Sequence, residues 1–274
     1  MATGQNADHE LTGGLKKWNT PQIHFRGEPL AYLIGRNESP WDTFKTIFTC
    51  DLAGRVSIAA CRTHPSQLRA IRTFKKEESK EMLEKFKHIR HENVLLAREY
   101  YDHEDSVYFV FDDLPLTLKH VIGSDYYPCD AEVSCIKKIL SGLSFLRACG
   151  YDHPFLTCSY ILLGMDGTIQ IAGLEGCENR STLSHFGSIE AVASITILLM
   201  QKYKKPDGTK DIDNLDCWSI DSQAFQFLQR TDTASSIDEL KEYILETLTP
   251  PKVILAGLAR FVLISARTSY SYEA

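Results

Sequence analysis

The apolar residues of this chain change their spacing once, close to Asp112-Asp113. Before that point they tend to alternate with polar residues in short runs, a spacing that predicts β-strands in a mainly antiparallel sheet. After it they recur every three or four residues, which predicts helices. The sequence therefore predicts an α+β fold in which a sheet is followed by a mainly helical part. The predicted strands are Thr43–Phe48, Arg55–Cys61, Leu68–Phe74, Val94–Leu96 and Val107–Phe111.

One predicted helix, Lys75–Arg90, interrupts these strands. Glu81 stands four residues before Lys85, a spacing that favours an ion pair on the helix surface. We interpret the charged residues of this helix as its solvated face, opposite an apolar stripe. The stripe consists of Met82, Leu83, Phe86 and Ile89.

Four helices are predicted in the second part of the chain. Asp130 is the expected N-cap of the first, which should end near Gly150. Ser188 is the expected N-cap of the second, Ile189–Gln201. Because Ala191–Met200 is apolar on nearly every side, this second helix should be buried at the centre of the helical part. The other two are Ser222–Leu228 and Ser236–Leu248.

A β-hairpin is predicted between the first two of these helices. Its two apolar runs are Tyr160–Leu163 and Thr168–Ile171, and Asp166-Gly167 joins them. An Asp-Gly pair between apolar runs is a strong hairpin signal. The order after the first helix is therefore loop, hairpin and loop.

The composition narrows the classes of function. A net charge of −6 and a pI near 5.9 argue against a nucleic-acid or anionic-membrane partner. The sequence opens without an apolar segment of signal-peptide type, and Ala191–Met200 is far shorter than the roughly 20 residues that cross a bilayer. The eight cysteines show no metal-ligand spacing, which predicts reduced, mostly buried thiols in a cytoplasmic protein without a metal site.

Strands, one helix, more strands and then helices resemble the plan of the eukaryotic protein kinases. The resemblance extends from about Thr43 to Leu248. It implies a bilobal protein-kinase-like fold with an antiparallel-sheet N-lobe that carries one helix and a mainly helical C-lobe. On this basis we divide the chain into a polar N-terminal tail (1–27), a kinase-like N-lobe (28–113) and a kinase-like C-lobe (114–274).

The N-lobe motifs of the family are only partly kept. Gly54-Arg55-Val56 resembles the end of the Gly-rich loop, but Thr49 and Asp51 stand where the two earlier glycines belong. Arg72 stands in the place of the strand lysine, and Met82 in the place of its helix glutamate. Phe111 falls in the gatekeeper place next to the hinge.

The catalytic and metal-binding motifs are lost. The loop that resembles H-R-D-x-x-x-x-N keeps His153, but has Phe155 for the base and Tyr160 for the asparagine. Gly173 replaces the aspartate of D-F-G. Phosphoryl transfer needs a base and carboxylates that hold Mg²⁺, and these residues supply neither. Two nearby acids, Asp152 and Glu175, are expected to be solvated.

Further positions are assigned by the resemblance alone. His153, Phe86 and Leu174 fall where the family stacks apolar residues between its lobes; for His153 we prefer a core residue bonded to backbone. Glu190 falls at the anchor of that stack, or is an acid favoured by the N-terminus of its helix. Phe155 and Tyr160 are expected to line the floor of the cleft. The residues that would contact an adenine, or simply belong to the core, are Val56, Ala70 and Leu162.

The sequence therefore predicts a pseudokinase: a catalytically inactive protein-kinase-like protein that acts as a protein-binding scaffold or allosteric regulator. No residue is assigned a catalytic, cofactor-binding or metal role. We expect protein partners, no nucleic acid, no membrane and no bound nucleotide, in the cytoplasm. Two alternatives stay open: a divergent serine/threonine protein kinase with atypical ATP binding, and a small-molecule-binding module that uses the old nucleotide cleft.

Overall fold

The computed structural model describes residues 33–124, 133, 135–180, 185–205, 212–213, 216, 218–247 and 252–268. The predicted tail at 1–27 and the predicted N-cap Asp130 lie outside these residues, as do Cys129 and Cys217.

Eleven strands lie within the described residues, and six of them form one sheet in the order β1-β5-β6-β4-β3-β2. β1 and β5 run parallel, and every other neighbouring pair in this sheet is antiparallel, which confirms the predicted mainly antiparallel sheet. The strands are β1 (Ile34–Arg36), β2 (Phe44–Asp51), β3 (Arg55–Cys61), β4 (Leu68–Lys75), β5 (Glu99–His103), β6 (Ser106–Asp112), β7 (Leu116–Thr117), β8 (Tyr151–Asp152), β9 (Ile161–Leu163), β10 (Ile169–Ile171) and β11 (Glu178–Asn179).

The strand predicted at Val94–Leu96 is displaced. This segment makes an isolated bridge from Val94 to Ile171, and the regular strand that pairs with β6 is β5, a few residues later. The Leu95 amide donates to the Ile171 carbonyl at 2.8 Å. The apolar run thus ties the chain to the hairpin instead of extending the six-stranded sheet.

The helices are concentrated in the second part of the chain, as the sequence predicts. A short α1 precedes the sheet, and α2 lies against β4 and β6. Ser222 caps α6, since its hydroxyl accepts from the Phe225 amide, and α6 is longer than predicted. The helices of the described residues are α1 (Pro40–Thr43), α2 (Lys76–His88), α3 (Leu118–Ile122), α4 (Cys135–Ala148), α5 (His185–Gln201), α6 (Gln223–Thr233), α7 (Ile237–Thr247) and α8 (Lys252–Thr268).

The predicted hairpin is confirmed as β9 and β10, which pair antiparallel. Gly167 adopts φ +83°, which a residue without a Cβ reaches readily. The Asp166 carboxylate accepts from the Thr168 amide at 3.0 Å and fixes the turn. β7 extends this hairpin into a three-stranded sheet.

The helix predicted to be central is buried, with one correction at its N-terminus. The apolar stripe of α4 is buried against the hairpin and α7, and Val192, Ala193 and Leu199 of α5 are fully buried. The predicted N-cap Ser188 is wrong: α5 already includes His185, so Ser188 is a buried residue within the helix. The buried stripe of α4 is Ile136, Ile139, Leu140, Leu143 and Leu146.

Apolar residues cover both faces of the six-stranded sheet. Successive side chains of a strand point to opposite faces, and β4 follows this rule: Ala70 joins the main core beneath α2, whereas Ile71 joins a small cluster on the other face. Trp41 of α1 packs against that small cluster. The protein is therefore a mixed α+β chain. In the part of the chain described, no helix combines the length and the apolar character needed to cross a membrane.

Candidate functional site

The turn between β2 and β3 lies where the resemblance puts a phosphate-binding loop. The Asp51 carboxylate accepts from the Gly54 amide at 2.9 Å, and the Leu52 amide donates to the Gly54 carbonyl at 2.9 Å. Ala53 and Gly54 have φ of +56° and +111°. Leu52 and Ala53 are buried. The turn therefore occupies amide groups internally and presses apolar side chains inward, whereas a phosphate-binding loop presents free amides.

Arg72 of β4 lies directly below this turn. Its guanidinium pairs with the Glu175 carboxylate, and its side chain is 11% exposed. A Cβ added at Gly54 would lie 2.5 Å from Arg72 Nη2, so the turn touches the guanidinium. The guanidinium also lies 5.6 Å from the centre of the Phe74 ring. Arg72 is thus held by protein groups on several sides.

A cavity beneath the turn has a volume of about 10 Å³ available to water-sized spheres. That volume holds about one water molecule. Val56, Ala70 and Leu162, the three residues that the resemblance puts around an adenine, all line it, and all three belong to the main apolar core. The other lining residues are Leu52, Arg72, Leu95, Phe111, Asp112 and Leu114.

His153, Tyr160 and Gly173 pack together behind this cavity. His153 is buried, and its Nε2–H donates to the Ala172 carbonyl at 3.0 Å, as expected for a core histidine. Its ring meets the Tyr160 ring edge-on at 5.2 Å between centres. Gly173 has φ +85°, and a Cβ there would lie 2.6 Å from Tyr160 Cδ1. Tyr160 therefore covers the residue that stands in the place of the metal-binding aspartate.

Burial lowers the pKa of the His153 imidazole below its ordinary value. Its Nδ1 has no hydrogen-bond partner among the described residues. Because the carbonyl of Ala172 can only accept, Nε2 carries a proton. The lowered pKa favours the neutral form of the ring. A neutral histidine in this position is a packing residue.

The expectation that Phe155 lines the floor of the cleft is wrong. Its side chain is 63% exposed, whereas the next residue, Leu156, is buried. Phe155 lies in a turn, and Leu156 takes the inward position. Phe155 is therefore a surface residue where the family has its base.

The expectation that Asp152 is solvated is wrong. Asp152 is buried, and its carboxylate lies 3.2 Å from Arg147 Nη1 on α4. Burial of a carboxylate requires a partner, and Arg147 supplies it. Glu175 is exposed, as expected, and its carboxylate pairs with Arg72.

Glu190 fulfils neither of the two roles considered for it. It is exposed on α5, so it does not anchor a buried stack. It also lies beyond the first turn of that helix, where the field of the helix N-terminus has faded. Phe86 and Leu174 of the same proposed stack are buried in the main core, and the Phe86 ring lies 5.7 Å from that of Phe111.

A buried lysine on α2 escaped the sequence analysis. Lys85 is only 2% exposed, and its ammonium donates to the carbonyls of Leu174 at 3.1 Å and Cys177 at 2.7 Å. The predicted pair with Glu81 exists, at 2.7 Å. Position 85 lies three residues after Met82, so it falls on the apolar stripe, and that spacing was the available signal.

The described thiols and acids offer no metal centre. Six described cysteines are free, and burial raises the pKa of the Cys158 and Cys177 thiols to about 12. Within the described ranges, no group of three or more His, Cys, Asp or Glu side chains could hold a metal ion.

No protein-family model matches this chain, and no curated protein matches it either. What the site does has to follow from its own residues and their geometry.

The contact between Gly173 and Tyr160 predicts the effect of a single methyl group. Gly173→Ala should lower the unfolding free energy by roughly 2–5 kcal/mol, because left-handed backbone strain and overpacking add. Gly150→Ala is the matched control: Gly150 has φ +87°, but nothing lies within 4 Å of its Cβ position. The control should cost only the strain, about 1–2 kcal/mol. Urea denaturation measures both.

In a Tyr160→Ala background the excess cost of Gly173→Ala over Gly150→Ala should become much smaller, because only the contact with His153 Nε2, at 3.1 Å, remains. An excess that is undiminished in this background would show that Tyr160 does not fill the space in front of Gly173.

The lowered pKa of His153 predicts how stability depends on pH. In the unfolded chain the imidazole has its ordinary pKa of about 6.5, so below that pH the unfolded state binds more protons. The unfolding free energy should therefore be intact above about pH 6.5 and should fall as the pH drops towards the lower, folded-state pKa. Denaturation at about pH 7.5 and about pH 5.5 measures this fall.

His153→Gln keeps a donor for the Ala172 carbonyl, but glutamine does not titrate. The unfolding free energy of this variant should therefore fall less between the two pH values. Burial also lowers the pKa of His91 and of His120, so a part of the fall should remain. An identical fall in wild type and variant would contradict the assignment of His153 as a neutral core residue.

Proposed function

We propose that the chain is a pseudokinase: a bilobal protein-kinase-like protein without phosphotransferase activity that acts by binding other proteins. The six-stranded sheet with α2 is the N-lobe of this proposal, and the helices from α3 onwards belong to the C-lobe. The order of the elements supports it, since α4 is followed by a loop, the β9–β10 hairpin and the turn at Leu174–Gly176.

The observation that carries the proposal is the filled cleft. Val56, Ala70 and Leu162 come from three different strands and line one cavity, as the kinase resemblance requires of the residues around an adenine. That cavity has room for about one water molecule. A ligand pocket for a drug-sized molecule is typically about 300–1,000 Å³. The cavity has the lining expected around an adenine but no room for one. We expect this of a pseudokinase that has lost its ligand.

The chemistry of the neighbouring groups points the same way. Arg72 and Glu175 pair with each other, and this ion pair ties β4 to the turn at Leu174–Gly176. Asp152 pairs with Arg147. Phe155 offers no proton acceptor, and Gly173 no metal ligand. Phosphoryl transfer depends on positioned cations and carboxylates, and here the candidate groups are engaged in holding the fold.

Binding of protein partners fits the surface and the charge of the molecule. Ile47 and Phe48 are both about half exposed, side by side on the edge strand β2. Adjacent exposed apolar side chains are typical of surfaces that other proteins cover. The net charge of −6 supports a protein partner over nucleic acid, and we place the protein in the cytoplasm.

The proposal predicts no phosphoryl transfer. Purified protein incubated with labelled ATP, Mg²⁺ or Mn²⁺ and generic protein substrates should label neither itself nor the substrate above a heat-denatured control. Transfer that disappears in Asp152→Asn or Glu175→Gln would overturn the proposal in favour of a divergent kinase. Transfer that is unchanged in both variants would come from a contaminating enzyme, and repurification should remove it.

A further inference from the structure

Two cations from different elements bind the turn Leu174–Cys177. We call it the 174–177 turn. Lys85 reaches it from α2 and donates to its first and last carbonyl groups. Arg72 reaches it from β4 and pairs with the carboxylate of Glu175. The 174–177 turn therefore contacts both the six-stranded sheet, through Arg72, and α2, through Lys85.

The ammonium of Lys85 is fully engaged in this position. An ammonium group has three donor hydrogens, and three acceptors surround it: the Leu174 carbonyl, the Cys177 carbonyl and the carboxylate of Glu81. The ammonium also lies 5.6 Å from the centre of the Tyr151 ring. A buried cation is tolerated only with such compensation, so α2 cannot move away without exposing an uncompensated charge or two carbonyls.

Glu81 connects this buried contact to the surface. Its side chain is 75% exposed, whereas Lys85 is buried. Glu81 supplies the negative charge nearest to the ammonium in the described residues. A change at this exposed acid therefore acts on the buried lysine directly.

We propose that the 174–177 turn is a latch that holds α2 and β4 against the helical part in one fixed arrangement, with Lys85 and Arg72 acting together. This inference does not depend on the proposed function, since it concerns contacts within the chain. It assigns a conformational role to a lysine that has no counterpart among the resemblance-derived site residues. Loss of either cation frees the turn and weakens the hold of the other.

Hydrogen exchange of the full-length protein tests the latch. Lys85→Met keeps the length of the side chain but removes both donors. The opening equilibrium of the α2 amides and of residues 174–179 should rise about tenfold or more, because the Cys177 carbonyl loses the ammonium and the Leu174 carbonyl keeps only the Cys177 amide. Exchange of the α4 amides should stay unchanged. Lys87→Met is the matched control: Lys87 lies on the same helix, is 54% exposed and pairs with Glu84, and its loss should change exchange in neither segment.

The cooperation of the two cations is tested by a double-mutant cycle. Glu175→Gln keeps the shape of the side chain and removes the pair with Arg72; Glu178→Gln, an exposed acid of the next strand, is its control. In the Lys85→Met/Glu175→Gln protein, the opening equilibrium constant of α2 should rise by a smaller factor than the product of the factors for the two single variants. The first loss has already freed the turn, so the second loss has less effect. Effects that simply multiply would overturn the shared latch.

Two further results would contradict the proposal: Lys85→Met behaving like Lys87→Met, or exchange in α4 rising as much as in α2, which would indicate a general loss of stability. If Lys85→Met does not fold, Glu81→Gln replaces it, with the exposed Glu78→Gln as control. Glu81→Gln should raise exchange in α2 and the 174–177 turn by a smaller factor. Equal exchange in these two glutamine variants would overturn the latch.

Discussion

The ion pair between Arg72 and Glu175 is the contact around which the candidate site is arranged. It joins β4 of the sheet to the turn that follows the hairpin, and it lies directly beneath Gly54. Because Arg72 is largely buried, removal of Glu175 would leave a cation without its partner, at a cost of about 1–3 kcal/mol or more.

Gly173 and Tyr160, which both depart from the kinase pattern, pack against each other. Gly173 leaves an empty space where the family has a carboxylate, and the Tyr160 ring occupies it. His153 completes the cluster as a neutral ring bonded to backbone. Leu52, in the turn between β2 and β3, also fills space, since it lines the small cavity that remains. Aromatic and aliphatic side chains gain stability from burial, so each substitution that removes a reactive group also fills the space that group would have needed.

The sequence predicted those features that depend on neighbours in the chain. The strands β3 and β4, the buried helix α5 and the hairpin at Asp166-Gly167 were all found from local spacing. Features that depend on contacts between side chains could not be predicted in this way. Asp152 is buried because Arg147 of α4, five residues earlier, faces it, and the pair between Arg72 and Glu175 spans 103 residues. Phe155 points outward because Leu156 takes the inward place. Lys85 was interpreted as solvated, although its position on the apolar stripe could have revealed it. The two carbonyls that it binds lie 89 and 92 residues further along the chain.

The central claim is that protein side chains occupy the place of the nucleotide. Isothermal titration calorimetry of the purified full-length protein with Mg²⁺-ATP tests it most directly. The heats should equal those of dilution, because the cavity holds about one water molecule. Saturable binding with a Kd of about 10 μM or tighter, equivalent to about −7 kcal/mol or better, would contradict the claim. The protein would then have to open its cleft to a nucleotide, and the fixed arrangement described above would be one of at least two states.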